Sequence, residues 1–135
     1  MKNAKITVYN KKRNEDPIEV VYIGKLKEKN DNIIINYPES KLTGMEGVFT
    51  KLILGEDFIE IIRTGNIESN LYFKEGQKKE VLYTLDFGSL NLTVDTHKLY
   101  IVRDDFKIKI IIIYDIILPG NVADRNEMKI LVDNI

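Results

Sequence analysis

The chain has 135 residues, 44% hydrophobic and 30% charged, with a formal net charge of -1 at pH 7. That length is one domain's worth, residues 1–135, able to bury roughly two thirds of its unfolded surface around one core. The near-neutral charge gives no drive toward nucleic-acid phosphates or an anionic membrane surface. With no cysteine in the chain, disulfides, thiol catalysis and thiolate metal sites are excluded.

From Lys2 the chain moves straight into strand-like alternation, with no apolar stretch of signal-peptide length. The longest apolar run, Ile110 to Ile113 with its extension to Leu118, is interrupted by Asp115. It falls far short of the roughly 20 residues a bilayer span needs. A soluble, cytoplasmic protein is expected. Only two alanines occur, Ala4 and Ala123, which is poor material for helix. β-Branched and aromatic residues alternate with polar ones, and turn residues break the pattern about every 8 to 12 positions, the spacing of a β sandwich or barrel.

In chain order the strand runs are residues 2–10, with Ala4, Ile6 and Val8 on one face, then 18–29 and 33–39. Asn30-Asp31-Asn32 joins the last two as a hairpin signal. Pro38 cannot donate to a ladder and marks the end of pairing. After Gly44 and Gly47 come runs 48–54, 58–64, 67–74, 80–87, 90–96, 99–102, 106–118 and 128–132, each bounded by Gly, Pro, Asn or Asp. A short helical turn is expected within 122–126 or at the chain ends. The short links imply antiparallel hairpins in an up-and-down meander. Closure removes the two edges of such a meander, so the expected fold is all-β, an antiparallel closed barrel of about eight to ten strands.

Side chains alternate between faces with period two. Glu39 is in phase with Ile33, Ile35 and Tyr37. Glu46 is in phase with Val48, Thr50, Leu52 and Leu54, and Arg63 with Ile59 and Ile61. Two carboxylates and a guanidinium are therefore expected inside, together with Tyr22, Tyr83, Thr96 and Tyr114. A bulge near Gly44 or Gly47 would turn Glu46 outward. The candidate ligand-binding set is Arg63, Glu39, Glu46, Tyr37, Tyr83, Thr96 and Tyr114.

This set has three readings. The Glu–Arg cluster can be structural, knitting strands in a filled barrel whose outer apolar positions, such as Phe49, Ile53, Ile111 and Ile113, dock a partner or a second copy. Arg63 can face a cavity and hold an anionic group of a small, partly apolar ligand with its bidentate fork. The carboxylates can act as an acid/base pair, although no nucleophile, metal set or phosphate loop accompanies them. No catalytic residue is assigned. His97, the only histidine, reads as an exposed turn residue that cannot build a multi-histidine metal site. The glycines lack nucleotide-loop spacing. No metal or cofactor is expected, and no nucleic-acid or membrane partner. A small molecule is the expected partner, with the protein a monomer or homodimer.

Tyr37-Pro38-Glu39-Ser40, Leu42-Thr43-Gly44-Met45-Glu46-Gly47, Arg63-Thr64-Gly65, Tyr83-Thr84, Gly88-Ser89-Leu90 and Val94-Asp95-Thr96 follow one another in an order and spacing that resembles the YwiB-like family of small bacterial proteins. The resemblance spans almost the whole chain and rests on order and spacing, with no single diagnostic motif. It implies a calycin-like, lipocalin-like β-barrel and a domain of unknown function. It brings no catalytic or binding residue with it.

Overall fold

The alternation builds ten strands in a computed structural model that describes residues 2–40, 44–85, 87–105, 107–120 and 122–134. They are β1 (Lys2–Lys12), β2 (Ile18–Lys29), β3 (Asn32–Pro38), β4 (Val48–Leu54), β5 (Phe58–Gly65), β6 (Ser69–Lys74), β7 (Lys78–Leu85), β8 (Gly88–Arg103), β9 (Lys107–Leu118) and β10 (Val122–Asn134). Among the described residues there is no helix. All pair antiparallel in one sheet of order β6-β5-β4-β3-β2-β1-β10-β9-β8-β7. The first and last strands lie side by side, and the sheet curls until β6 and β7 meet.

This seam is held at two places. Glu68 and Thr84 exchange both backbone hydrogen bonds, at 2.9 Å each. At the other end the two strands are joined by their own turn, where the Gln77 amide donates to the Lys74 carbonyl at 3.0 Å. The result is the expected antiparallel, calycin-like barrel.

The β2–β3 hairpin turns on Asn30 (φ 52) and Asp31 (φ 67), the two consecutive positive φ values of a type I′ turn. Pro38 ends β3 opposite Phe49. Two expectations are corrected. Runs 90–96 and 99–102 form one strand, β8, which carries a bulge at His97 instead of a turn. Residues 122–126 are strand as well, because their backbone pairs with β9 from Val122↔Leu118 to Asn126↔Tyr114. The ladder overrides a local sequence with little apolar alternation.

The interior is divided along the barrel axis. Toward the end that carries the β2–β3, β4–β5 and β6–β7 turns, Ile35, Leu52, Leu54, Ile59, Ile61, Phe73, Ile110 and Ile112 are fully buried and fill the lumen. Phe73 packs edge-on against Tyr114, ring centroids 4.8 Å apart. Tyr114 also lines the cavity beyond it, so this aromatic contact is the floor between a filled half and a hollow half. Gly24 lets β3 approach β2 closely in the wall. A Cβ there would lie 2.3 Å from the Asn36 carbonyl oxygen and 3.0 Å from the Tyr37 Cβ.

Candidate functional site

The hollow half is a cavity of about 490 Å³, within the roughly 300–1,000 Å³ range of small-molecule sites. Its walls come from strand ends: Lys12 closes β1, Ile18 opens β2, and Leu118 closes β9. The cavity thus opens at the end opposite the packed aliphatic core. Most of the lining is apolar, including Val8, Val20, Met45, Leu92, Ile116 and Met128.

One polar cluster sits in this wall. The Glu39 side chain is 2% exposed and its Oε2 lies 3.8 Å from Arg63 Nε. The Tyr22 hydroxyl donates to Glu39 Oε1 at 2.7 Å, and the Thr50 hydroxyl donates to Oε2 at 2.5 Å. The carboxylate is thereby engaged on both oxygens. Arg63 differs: its Nε is buried and makes no hydrogen bond among the described residues, although the side chain is 87% covered, by the complement of its 13% exposure. Its hold on Glu39 is Coulombic at that separation.

Aromatic hydroxyls surround this pair. Tyr37 stacks on Tyr22 with centroids 4.4 Å apart. Burial, reinforced by the Glu39 charge, pushes the Tyr37 phenol far above its ordinary value. Burial pushes Tyr114 up to about 12, with the Arg63 charge pulling the other way. Both phenols are therefore neutral near pH 7 and keep their O–H. A cavity with a guanidinium and neutral phenols in its wall, and its one central carboxylate already engaged, suits a ligand that accepts hydrogen bonds.

Five residues of the candidate set line this cavity: Tyr37, Glu39, Arg63, Tyr83 and Tyr114. Thr96 is buried across from Tyr114, behind the lining, and its hydroxyl has no hydrogen-bond partner among the described residues. Glu46 is exposed and outside the cavity. It precedes β4, and Gly47 at φ 81 breaks the alternation before Val48, so the inward phase of the strand does not reach back to it. The Glu46 carbonyl accepts from Asn66 Nδ2 at 3.0 Å.

Sequence reading missed three contributors. Thr50, in phase with Leu52, was counted as core and instead buttresses Glu39. Asn10 and Asn126 line the cavity. Asn10 follows Ala4, Ile6 and Val8 in phase within the run 2–10, and Asn126 precedes Met128 and Ile130 in phase, so period-two counting reaches Asn10 directly and Asn126 once β10 is given its full length. Among the described residues the three-residue group of metal-ligating side chains, Asp95, His97 and Asp115, lies on other walls than this cluster and is not part of the cavity lining.

A family profile described as Domain of unknown function (DUF1934) matches residues 3–130. Among solved structures the chain is similar to the ywiB protein from Bacillus subtilis, with a TM-score of 0.83 and 22% sequence identity over 98% of this chain and 90% of that chain. At that identity the likeness shows the fold. No curated protein matches the chain in sequence.

Proposed function

Since the chain belongs to the DUF1934 family, a domain of unknown function, its function has to be read from its interior, and we propose that it is a binding protein. The ligand is a small, largely apolar molecule held in the hollow half of the barrel, with an anionic or strongly accepting head on Arg63. The observation that carries this reading is the Arg63 side chain, 13% exposed, in the wall of a cavity of about 490 Å³. The exposed part of the guanidinium offers donors in a fixed fork to an anionic or accepting head in that cavity. A bacterial, cytoplasmic setting belongs to the same proposal and is in keeping with the likeness to a Bacillus subtilis protein.

A second reading is favoured by the other half of the cluster. Glu39 is engaged by Tyr22, Thr50 and Arg63 at once, as a purely structural ion pair would be. The protein then acts through its outer surface, as a monomer or homodimer.

Two fluorescent probes with nearly the same apolar frame separate these readings: anilinonaphthalene sulfonate carries an anionic head, and N-phenyl-1-naphthylamine does not. Binding in the lumen predicts saturable one-to-one binding of the sulfonate, weakened about tenfold or more in Arg63→Leu, as expected for loss of a charged hydrogen bond of roughly 1.5–3 kcal/mol. The neutral probe should bind both proteins alike. If neither probe binds the wild-type protein, or if Arg63→Leu leaves sulfonate binding unchanged, the lumen reading fails and the structural one stands.

A further inference from the structure

On the outside of the barrel one row of charged side chains crosses four strands, beginning with Lys78 on β7, which faces Asp95 in register. Asp95 on β8 faces Asp115 on β9 in register, and Asp115 faces Arg125 on β10. Like charges directly opposite each other destabilise a sheet. Arg125 hydrogen-bonds Asp115: its Nε donates to Asp115 Oδ1 at 2.5 Å, and its Nη2 donates to Oδ2 at 3.4 Å. The ion-pair partner of Asp95 among the described residues is the His97 ring, 3.9 Å away. His97 is the extra residue of the β8 bulge, where the register shifts between Thr96 and Lys98. Bulges re-aim side chains, and this one brings His97 Nε2 to 2.9 Å from Asp115 Oδ2 while it stays near Asp95 Oδ2.

We propose that Asp95, His97 and Asp115 form a site for a divalent first-row transition cation, zinc foremost. One donor atom from each residue lies within 4.8 Å of the others. Tetrahedral ligands at zinc bonding distances of about 2.0–2.2 Å stand roughly 3.3–3.5 Å apart. The two separations from His97 Nε2, 2.9 and 3.9 Å, straddle that spacing, so small side-chain rotations admit the ion with the backbone in place. The side chains are 19%, 34% and 17% exposed, which gives the ion a path from solvent and leaves the fourth position to water. Arg125 holds Asp115 Oδ1 and orients Oδ2, the part that outer partners of ligating carboxylates play. One imidazole with two carboxylates suits zinc better than magnesium or calcium, which take oxygen ligands alone. A dication also removes the repulsion between the facing aspartates.

Since His97 is the only histidine, its imidazole gives a unique NMR signal in tag-free protein. Titration with zinc chloride should move that signal saturably, with one zinc per chain by calorimetry, and magnesium chloride should not move it. Asp95→Asn, which changes charge at nearly constant shape, should weaken zinc binding about tenfold or more. A His97 signal unmoved by millimolar zinc overturns the proposal, and so does zinc affinity equal in the wild-type protein and Asp95→Asn. The wild-type titration decides the matter even if the variant fails to fold.

Discussion

Removing Glu39 and removing Arg63 should not be equivalent, although the two form one ion pair. Glu39→Leu leaves Arg63 with a covered guanidinium, a buried Nε and no counter-charge. An arginine cannot shed its proton. Breaking a buried pair in this way destabilises by about 3–5 kcal/mol, and the Tyr22 and Thr50 hydroxyls lose their acceptor as well. Arg63 borders a cavity that admits water, which holds the loss to the lower half of that range, about 3–4 kcal/mol. Arg63→Leu leaves a carboxylate that still accepts from two hydroxyls and can take up a proton. The expected loss is about 1–2 kcal/mol, between that of an exposed ion pair, up to about 1 kcal/mol, and that of a fully buried one, about 3–5 kcal/mol. In Glu39→Leu/Arg63→Leu the loss should fall short of the sum of the two single losses by a coupling of about 1–3 kcal/mol. Urea unfolding followed by circular dichroism reads all four proteins, with unchanged m-values as the check that only stability moved. Equal losses from the two single substitutions, or strict additivity in the double, would refute the picture of a satisfied carboxylate beside an unsatisfied guanidinium.

Two other outcomes follow from the same interior. Tyr37 and Tyr114 are held neutral by burial, Tyr114 up to about 12. Their folded values lie above the unfolded tyrosine value of about 10, so their contribution is complete below pH 10 and is lost as pH rises through 12. Stability by urea unfolding should fall steadily over that window, and titration at 295 nm should show these two phenols ionising only with unfolding; stability flat from pH 10 to 12 contradicts the assignment. Gly24→Ala places a Cβ 2.3 Å from the Asn36 carbonyl oxygen, so β2 and β3 must separate locally, at a loss of about 1–3 kcal/mol. A thermal melt within a degree of wild type would mean that the two strands approach less closely than described.

The inward phase of each strand was legible because burial on one face imposes a period of two, and Tyr37, Glu39 and Arg63 carry that period unbroken from their aliphatic neighbours. The β2–β3 turn was legible because Asn and Asp tolerate the positive φ that the turn demands. Glu46 was misplaced inward because phase was carried through Gly47, whose φ of 81 resets it. The strand at 122–126 was hidden because its charged sequence is stabilised by a partner, the apolar β9, and not by its own pattern. The Asp95–Asp115–Arg125 row was out of reach for a related reason. It depends on the register of three strands and on one bulge, and a single-residue slip on any of them moves every side chain to the other face.

A barrel's diameter grows with its strand number, and eight strands already suffice for side chains to fill the lumen or to leave room for one small ligand. Ten strands enclose more space than a single layer of aliphatic side chains fills. In this chain the lumen is filled at one end, where Phe73 against Tyr114 closes the packed half. The other end is lined by aliphatic, methionine, asparagine and tyrosine side chains that leave a cavity between them. The packed half supplies the burial that folds the chain, which frees the hollow half to keep a buried guanidinium donor without a hydrogen bond. If the lumen served stability alone, the aliphatic packing would run to the mouth, and an apolar side chain at Arg63 would remove both the unbonded donor and the need for Glu39 beside it. The guanidinium of Arg63 in the wall of the cavity, beside a Glu39 engaged on both oxygens, is the argument for an accepting ligand.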